Sequence, residues 1–275
     1  MTMATIERSP AQTAAGMGQE APLLRVSNLS KWYGHVVGCR DVSFELRAGE
    51  VLGIVGESGS GKTTLLNVIS GRLPPTSGVV EFDASRFGLT DIYGLNEPDR
   101  RRMQREDWGF VHQNPRDGLR MRVSGGANVA EPLMNLGNRH YGKMRQATLE
   151  WLNRVELDTG RIDDKPRNFS GGMQQRIQVA RNLIHGPRLV FMDEPTGGLD
   201  VSVQARLLDL LRELVRDLGL AVIIVTHDMA VARLMADRLI VMKSGYVVET
   251  GLTDQVLDDP QHPYSQLLVS SVLQI

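Results

Sequence analysis

The chain has 275 residues, with 31 Lys and Arg against 32 Asp and Glu and a formal net charge of −1. That balance gives no reason to expect nucleic acid or anionic lipid as a partner. The single cysteine, Cys39, excludes a disulfide framework and a cysteine-held metal cluster, and it suits a reducing cytoplasm.

Residues 1–20 are rich in Ala, Thr, Gln and Gly and lack an apolar core. They are expected to be a disordered lead-in, neither signal peptide nor membrane anchor. The longest apolar runs, such as Leu220 to Val225, are strand length, so no insertion into a membrane is expected. Leu23 to Leu29 alternates apolar and polar residues and predicts a half-buried strand. Lys31-Trp32-Tyr33-Gly34 reads as a turn, Val42 to Leu46 as a second strand, and Ala48-Gly49-Glu50 as the turn into a third.

That third stretch organises the chain. Val51, Leu52, Ile54 and Val55 form a short apolar strand, and Leu65, Leu66, Val68 and Ile69 carry the start of a helix. Between them, Gly56-Glu57-Ser58-Gly59-Ser60-Gly61-Lys62-Thr63 spells G-x-x-x-x-G-K-[ST], followed by Thr64. Strand, glycine loop and helix in that order make a phosphate-binding loop. Main-chain N–H groups and the positive end of the helix would wrap a phosphate. Lys62 would reach the β- and γ-phosphates, and the Thr63 hydroxyl would ligate Mg²⁺. A nucleoside triphosphate is the expected ligand.

Gly78 to Phe82 predicts a further strand. Glu97 to Asp107 predicts a helix whose Arg100, Arg101, Arg102 and Arg105 are offset by four acids, a solvated face rather than an RNA-binding one. Trp108 to His112 is a strand ended by Gln113-Asn114-Pro115, and Ser124 to Asp164 is a mostly helical insertion. Ser170 with Gly171 and Gly172 opens a helix running to about Ile184, a second anion-binding helix start. Leu189 to Met192 is a buried strand ending in two acids. Asp193 is placed for the Mg²⁺ shell, and Glu194 beside the γ-phosphate to polarise water as general base. A long amphipathic helix (Val203, Leu207, Leu210, Leu211, Leu214, Leu218) and a strand from Ala221 to Val225 follow. The alternation argues for an α/β core with a largely parallel sheet and an antiparallel piece at its N-terminal side.

From Leu23 onward the chain resembles the ATP-binding cassette (ABC) ATPases. Ser170-Gly171-Gly172-Met173-Gln174 is similar to that family's signature, with Met173 where glutamine is more usual. The resemblance implies a P-loop NTPase of ABC type over residues 21–275. It would have a mixed parallel core sheet, an antiparallel β subdomain and a helical subdomain inserted at about 124–185. It implies that Tyr33 stacks on adenine, with Trp32 a rival, and that Gln113 senses Mg²⁺ and the γ-phosphate. His227 would hydrogen-bond that phosphate, and Asp200 would lie in a dimer-bridging loop. It further implies an ATPase that works as a head-to-tail homodimer. ATP would sit between the phosphate loop of one copy and the Ser170, Gly171, Gly172 and Gln174 turn of the other.

Three kinds of cassette ATPase remain. The run Asp259 to Leu268, with His262-Pro263-Tyr264, resembles the peptide- and nickel-type importer ATPases. Cassette proteins acting on nucleic acid usually carry two cassettes per chain, and this length holds one. The loop after Gln113 reads Asn114-Pro115-Arg116-Asp117-Gly118-Leu119-Arg120-Met121-Arg122. It differs from the Ser-Leu-Asn-Pro-like stretch on which importers dock a membrane coupling helix. Gly109 to Gln113, Arg139 to Gly142, Phe191 to Leu211 and Leu267 to Gln274 resemble the ATP-binding subunits of phosphonate carbon–phosphorus lyase systems. This implies association with the lyase core complex and with a second ABC-type subunit of that system. The radical chemistry would lie elsewhere, since one cysteine cannot hold an iron–sulfur centre. The alternative is the ATP-binding subunit of a peptide/nickel-type or phosphonate ABC importer.

Overall fold

A computed structural model describes residues 21–272, so the expected lead-in at 1–20 lies outside the described residues. Strands β1 (Leu24–Tyr33) and β2 (Val36–Leu46) form a long hairpin, and β3 (Val51–Val55) leads into helix α1 (Lys62–Ile69). Next come β4 (Ser77–Ala84), β5 (Gly88–Asp91), α2 (Glu97–Asp107), β6 (Trp108–Val111) and the single turn α3 (Pro115–Gly118). Helices α4 (Gly125–Asn135), α5 (Tyr141–Arg154) and α6 (Gly171–Leu183) precede β7 (Leu189–Asp193), α7 (Val201–Leu218) and β8 (Ala221–Thr226). The rest is α8 (Met229–Met235), β9 (Arg238–Lys243), β10 (Tyr246–Leu252), α9 (Thr253–Asp258) and α10 (Pro263–Val272).

The strands lie in the order β5-β4-β1-β2-β10-β9-β3-β8-β7-β6. From β9 to β6 all neighbours are parallel, whereas β10 returns antiparallel to β9. Strands β1, β2, β4 and β5 pair antiparallel and join the parallel part through one bridge, Tyr246 to Arg40. Every residue of β3 and β8 is buried, as expected for parallel strands covered on both faces.

The two faces divide the core by alternation along each strand. Leu52, Ile54, Phe191, Ile223 and Val225 pack with α1 and the inner side of the antiparallel piece. Val51, Val190, Met192, Val222 and Ile224 pack with α6, α7 and α8 on the other side. The antiparallel piece therefore folds over α1, which is clamped between it and the core sheet. Helices α4 and α5 pack beside α6 through Val129, Trp151 and Leu152, and α4 is tied to the chain that follows α5 where Gly125 N–H donates to Asp164 O (2.7 Å) and Gly126 N–H to Ile162 O (2.8 Å).

Several boundaries differ from the expectations. The stretch read as a turn at Lys31 to Tyr33 continues β1; the chain reverses only at Gly34, whose φ is +60°. Register shifts against β2 between Leu29 and Lys31 and between Lys31 and Trp32 break the strand period there. Strands β5, β9 and β10 had no counterpart in the sequence reading, and β2 begins six residues before the expected Val42.

Candidate nucleotide site

The loop after β3 is shaped by close backbone approach. Gly56, Gly59 and Gly61 have φ of +148°, +81° and +102°. A Cβ at Gly56 would stand 2.2 Å from Met242 O, and one at Gly61 2.2 Å from Gly38 O, so the loop is wedged between the end of β9 and β2. Gly245 N–H donates to Ser60 O (2.9 Å), and Ser60 N–H to Glu57 O (3.2 Å), closing the loop on itself. Lys62, only 5% exposed, donates to Gly56 O and Glu57 O, both at 2.7 Å. Burial pulls its pKa down, against the pull of Glu194, Asp193 and Glu57. Among the described residues no carboxylate pairs with it. A buried ammonium held by neutral carbonyls at a helix start fits a phosphate anion. Ser58, Gly59 and Thr63 are exposed around it.

The C-terminal ends of β6, β7 and β8 bring the remaining groups together, the place where parallel sheets bind ligands. Gln113 follows β6, Asp193 and Glu194 end β7, and His227 follows β8. Gln113 Nε2 donates to Glu194 Oε2 at 2.9 Å, and His227 Nδ1 lies 2.9 Å from Glu194 Oε1. Glu194 has φ +43°, a strained conformation for a non-glycine residue, fixed by its N–H donating to Val225 O (2.9 Å). Asp193 is partly buried, and burial followed by the neighbouring Glu194 charge raises its carboxyl pKa. A Cβ at Gly197 would lie 3.0 Å from Gln113 Nε2, so the turn after Glu194 leaves just enough room for that amide.

Gln113 is aimed by residues the sequence did not single out. Gln175 and Gln178, both buried on α6, donate to His112 O at 3.0 and 3.1 Å, and His112 N–H donates to Gln178 Oε1 (2.5 Å). Two amides three residues apart on an otherwise core-facing stripe were the available signal. Arg72, just past α1, lies 3.3 Å from His112 Nε2, with its guanidinium over the Phe110 ring. Burial lowers Arg72 to about 10. Burial, then the adjacent Arg72 charge, lowers His112 from 6.5 to about 4.

Tyr33 is 49% exposed at the end of β1. A Cβ at Gly38 would touch both Tyr33 Cε2 (2.9 Å) and Thr64 Cγ2 (2.7 Å), which puts the Tyr33 ring beside the phosphate-loop helix. Trp32 instead has the Arg40 guanidinium over its ring, 5.8 Å from the centroid. Tyr33 likewise has the Lys31 ammonium over its ring at 5.8 Å, so what sets it apart from Trp32 is its position beside Thr64.

The Ser170 turn forms a second group. Ser170 caps α6, its hydroxyl accepting from Met173 N–H (3.4 Å). A Cβ at Gly172 would lie 2.5 Å from Val203 Cγ1, and one at Gly171 3.6 Å from Leu199 Cδ2, so this turn packs against the start of α7. There Asp200 is exposed and makes no capping hydrogen bond. Gln174 departs from its expected role: it is buried and donates to Phe169 O (2.9 Å), so it braces the turn instead of facing a ligand. No hydrogen bond among the described residues joins the Ser170 turn to residues 56–64. The expected site residues therefore fall in two places on one protomer.

A glycine loop around a buried lysine, with a paired acid two strands away, defines the class: a phosphate-loop nucleoside triphosphatase. The model of the ABC transporter family matches residues 39–197, and the chain belongs to that family; it is an ATPase. It is 64% identical over 253 residues to the putative phosphonates utilization ATP-binding protein PhnK of Escherichia coli strain K12, covering 92% of this chain and 98% of that one. To a putative peptide import ATP-binding protein of Brucella abortus strain 2308 it is 40% identical over 231 residues, 84% of this chain and 68% of the relative. The solved dimer of the ATP-binding cassette MJ0796, in a post-hydrolysis state bound to ADP and Pi, superposes with a TM-score of 0.74 at 31% identity, covering 84% of this chain and 98% of that one.

His112 supplies a pH signature of the clamp. It is neutral when folded down to about pH 4 but takes up a proton near 6.5 once unfolded, so stability is lost as pH falls through that window. Urea unfolding of wild type minus His112→Gln should show this extra slope, up to about 1 kcal/mol per pH unit after allowance for solvent screening. Parallel pH profiles for the two proteins would contradict it.

Proposed function

We propose that this chain is the ATP-binding and ATP-hydrolysing subunit of a cytoplasmic phosphonate carbon–phosphorus lyase system. It would close on ATP as a head-to-tail homodimer and act on the soluble lyase core, beside a second ABC-type subunit. One observation carries this reading: the 64% identity to a phosphonates utilization protein runs over nearly the whole of both chains. The peptide-import relative stands at 40%, with the match covering 68% of its length. An importer subunit is the second reading, favoured by the His262-Pro263-Tyr264 run.

In the proposed cycle the phosphate-loop amides and Lys62 hold the triphosphate, and Tyr33 stacks on the base. Thr63, Asp193 and Gln113 would hold Mg²⁺, which would supply charge neutralisation for the triphosphate. The donor set fits: the Asp193 carboxylate stands at the end of β7 and the exposed Thr63 hydroxyl in the first turn of α1, and Mg²⁺ is commonly held by one or two carboxylates plus phosphate. Glu194 takes a proton from the attacking water, and His227 turns from Glu194 to the γ-phosphate. Both Glu194 oxygens are engaged by Gln113 and His227, so productive binding exchanges at least one of these bonds. Ser170, Gly171 and Gly172 of the second copy complete the site. Loss of the bridging phosphate then releases the dimer.

The partner-facing loop is basic. Arg116 and Arg122 are exposed and make no ion pair among the described residues, whereas Arg120 is paired with Glu131 at 2.6 Å. Free guanidinium groups suit carboxylates on a soluble protein surface.

Two outcomes test this reading. Glu194→Gln should bind ATP and accumulate as a closed dimer while phosphate release slows about two to four orders of magnitude. Near-normal turnover would remove Glu194 from the role of base. Arg116→Glu with Arg122→Glu should weaken co-purification with the lyase core and leave basal ATPase activity largely intact. Co-purification of the wild type with an integral membrane permease, and not with the core, would favour the importer.

A further inference from the structure

The His262-Pro263-Tyr264 run is not used by the cycle above, yet it reaches the ATP site. Tyr264 opens α10, is 4% exposed, and its hydroxyl accepts the N–H of Glu57 at 3.0 Å. That N–H belongs to the same peptide group as Gly56 C=O, which Lys62 Nζ holds at 2.7 Å. One peptide plane at the entry to the phosphate loop is thus gripped from both sides, by Tyr264 on its N–H and by Lys62 on its carbonyl. Gly56, at φ +148°, would otherwise let this plane rotate, and rotation would take the carbonyl away from Lys62.

Tyr264 is delivered to this position by a strap of hydrogen bonds. Glu249 on β10 accepts the N–H groups of Gln261 (2.8 Å) and His262 (3.0 Å). His262 Nδ1 then accepts Tyr264 N–H (3.1 Å), and Gln266 Nε2 donates to Pro260 O (3.0 Å), closing the turn that starts α10. The Lys243 ammonium sits 4.7 Å from the Tyr264 ring centroid, against the β9–β10 turn whose Gly245 bonds Ser60. Buried, with its hydroxyl aimed at a main-chain amide, Tyr264 does more here than fill space.

We infer that Tyr264 is a positioning residue of the ATP site, fixing the Gly56–Glu57 peptide and hence Lys62, with Glu249 anchoring the segment that carries it. ATP binding to a loop without this grip first removes the added freedom of the peptide, which weakens binding and leaves the chemical groups in place. The inference rests on the ATPase activity alone and holds whichever partner the chain serves.

Steady-state phosphate release with the full-length chain tests it. Tyr264→Phe keeps the ring and removes the hydroxyl, so KM for ATP should rise about three- to tenfold with kcat within about twofold, the scale of one lost hydrogen bond. Its nucleotide-free melting temperature should stay within about 2 °C of wild type. Glu249→Ala should raise KM in the same way, and the double variant should be no worse than the worse single, because both act through one peptide. An unchanged KM in Tyr264→Phe would overturn the inference. So would a fall in kcat or melting temperature at constant KM, or effects of the two variants that multiply.

Discussion

The ammonium of Lys62 is buried at the start of a helix with two main-chain carbonyls as its hydrogen-bond partners and, among the described residues, no carboxylate paired with it. Leaving a cation in that state is costly, and an incoming polyphosphate relieves it. The loop can hold Lys62 this way because glycines at 56 and 61 let it press against the main chain of β9 and β2. Those strands are in turn fixed by the hairpin that folds over α1 and by the parallel strands that flank β3. The geometry of the whole sheet thus converges on one charge.

The acid end of the site follows from the same parallel order. Gln113, Glu194 and His227 are far apart in the chain but sit at the ends of three adjacent strands, which is why one carboxylate can hold both an amide and an imidazole. The clamp of Gln175 and Gln178 on His112 ties this cluster to α6, which Ser170 caps. A shift of α6 would thereby be passed to the main chain beside Gln113. No hydrogen bond among the described residues joins the Ser170 turn to the phosphate loop of the same chain. Two copies arranged head to tail would bring them together, which gives a physical reason for ATP to drive closure.

The phosphate loop, the strand-end acids and the capping Ser170 could be read directly because each is a local pattern with its own neighbours as context. The core strands β3, β7 and β8 were equally legible as apolar runs bounded by turns. What escaped was non-local. The far half of the β1–β2 hairpin is broken by register shifts around Lys31, so its period was hidden, and β10 is held in place by a partner strand and by α9. Gln174 looked like a ligand from its place in the signature, but its amide is spent on Phe169. Arg72 acts through the His112 and Phe110 rings and Tyr264 through a main-chain N–H, contacts brought close only by the fold and announced by no spacing rule.

The central claim is that each ATP is held between two copies. It is tested most directly by mixing Ser170→Arg with Lys62→Ala, each inactive as a homodimer. A mixed dimer then has one site broken twice and one site intact. Phosphate release should return on mixing, to at most roughly a quarter of wild-type turnover for random pairing. No recovery, with mixed dimers confirmed by differently tagged copies, would show that each chain hydrolyses ATP alone and would contradict the account.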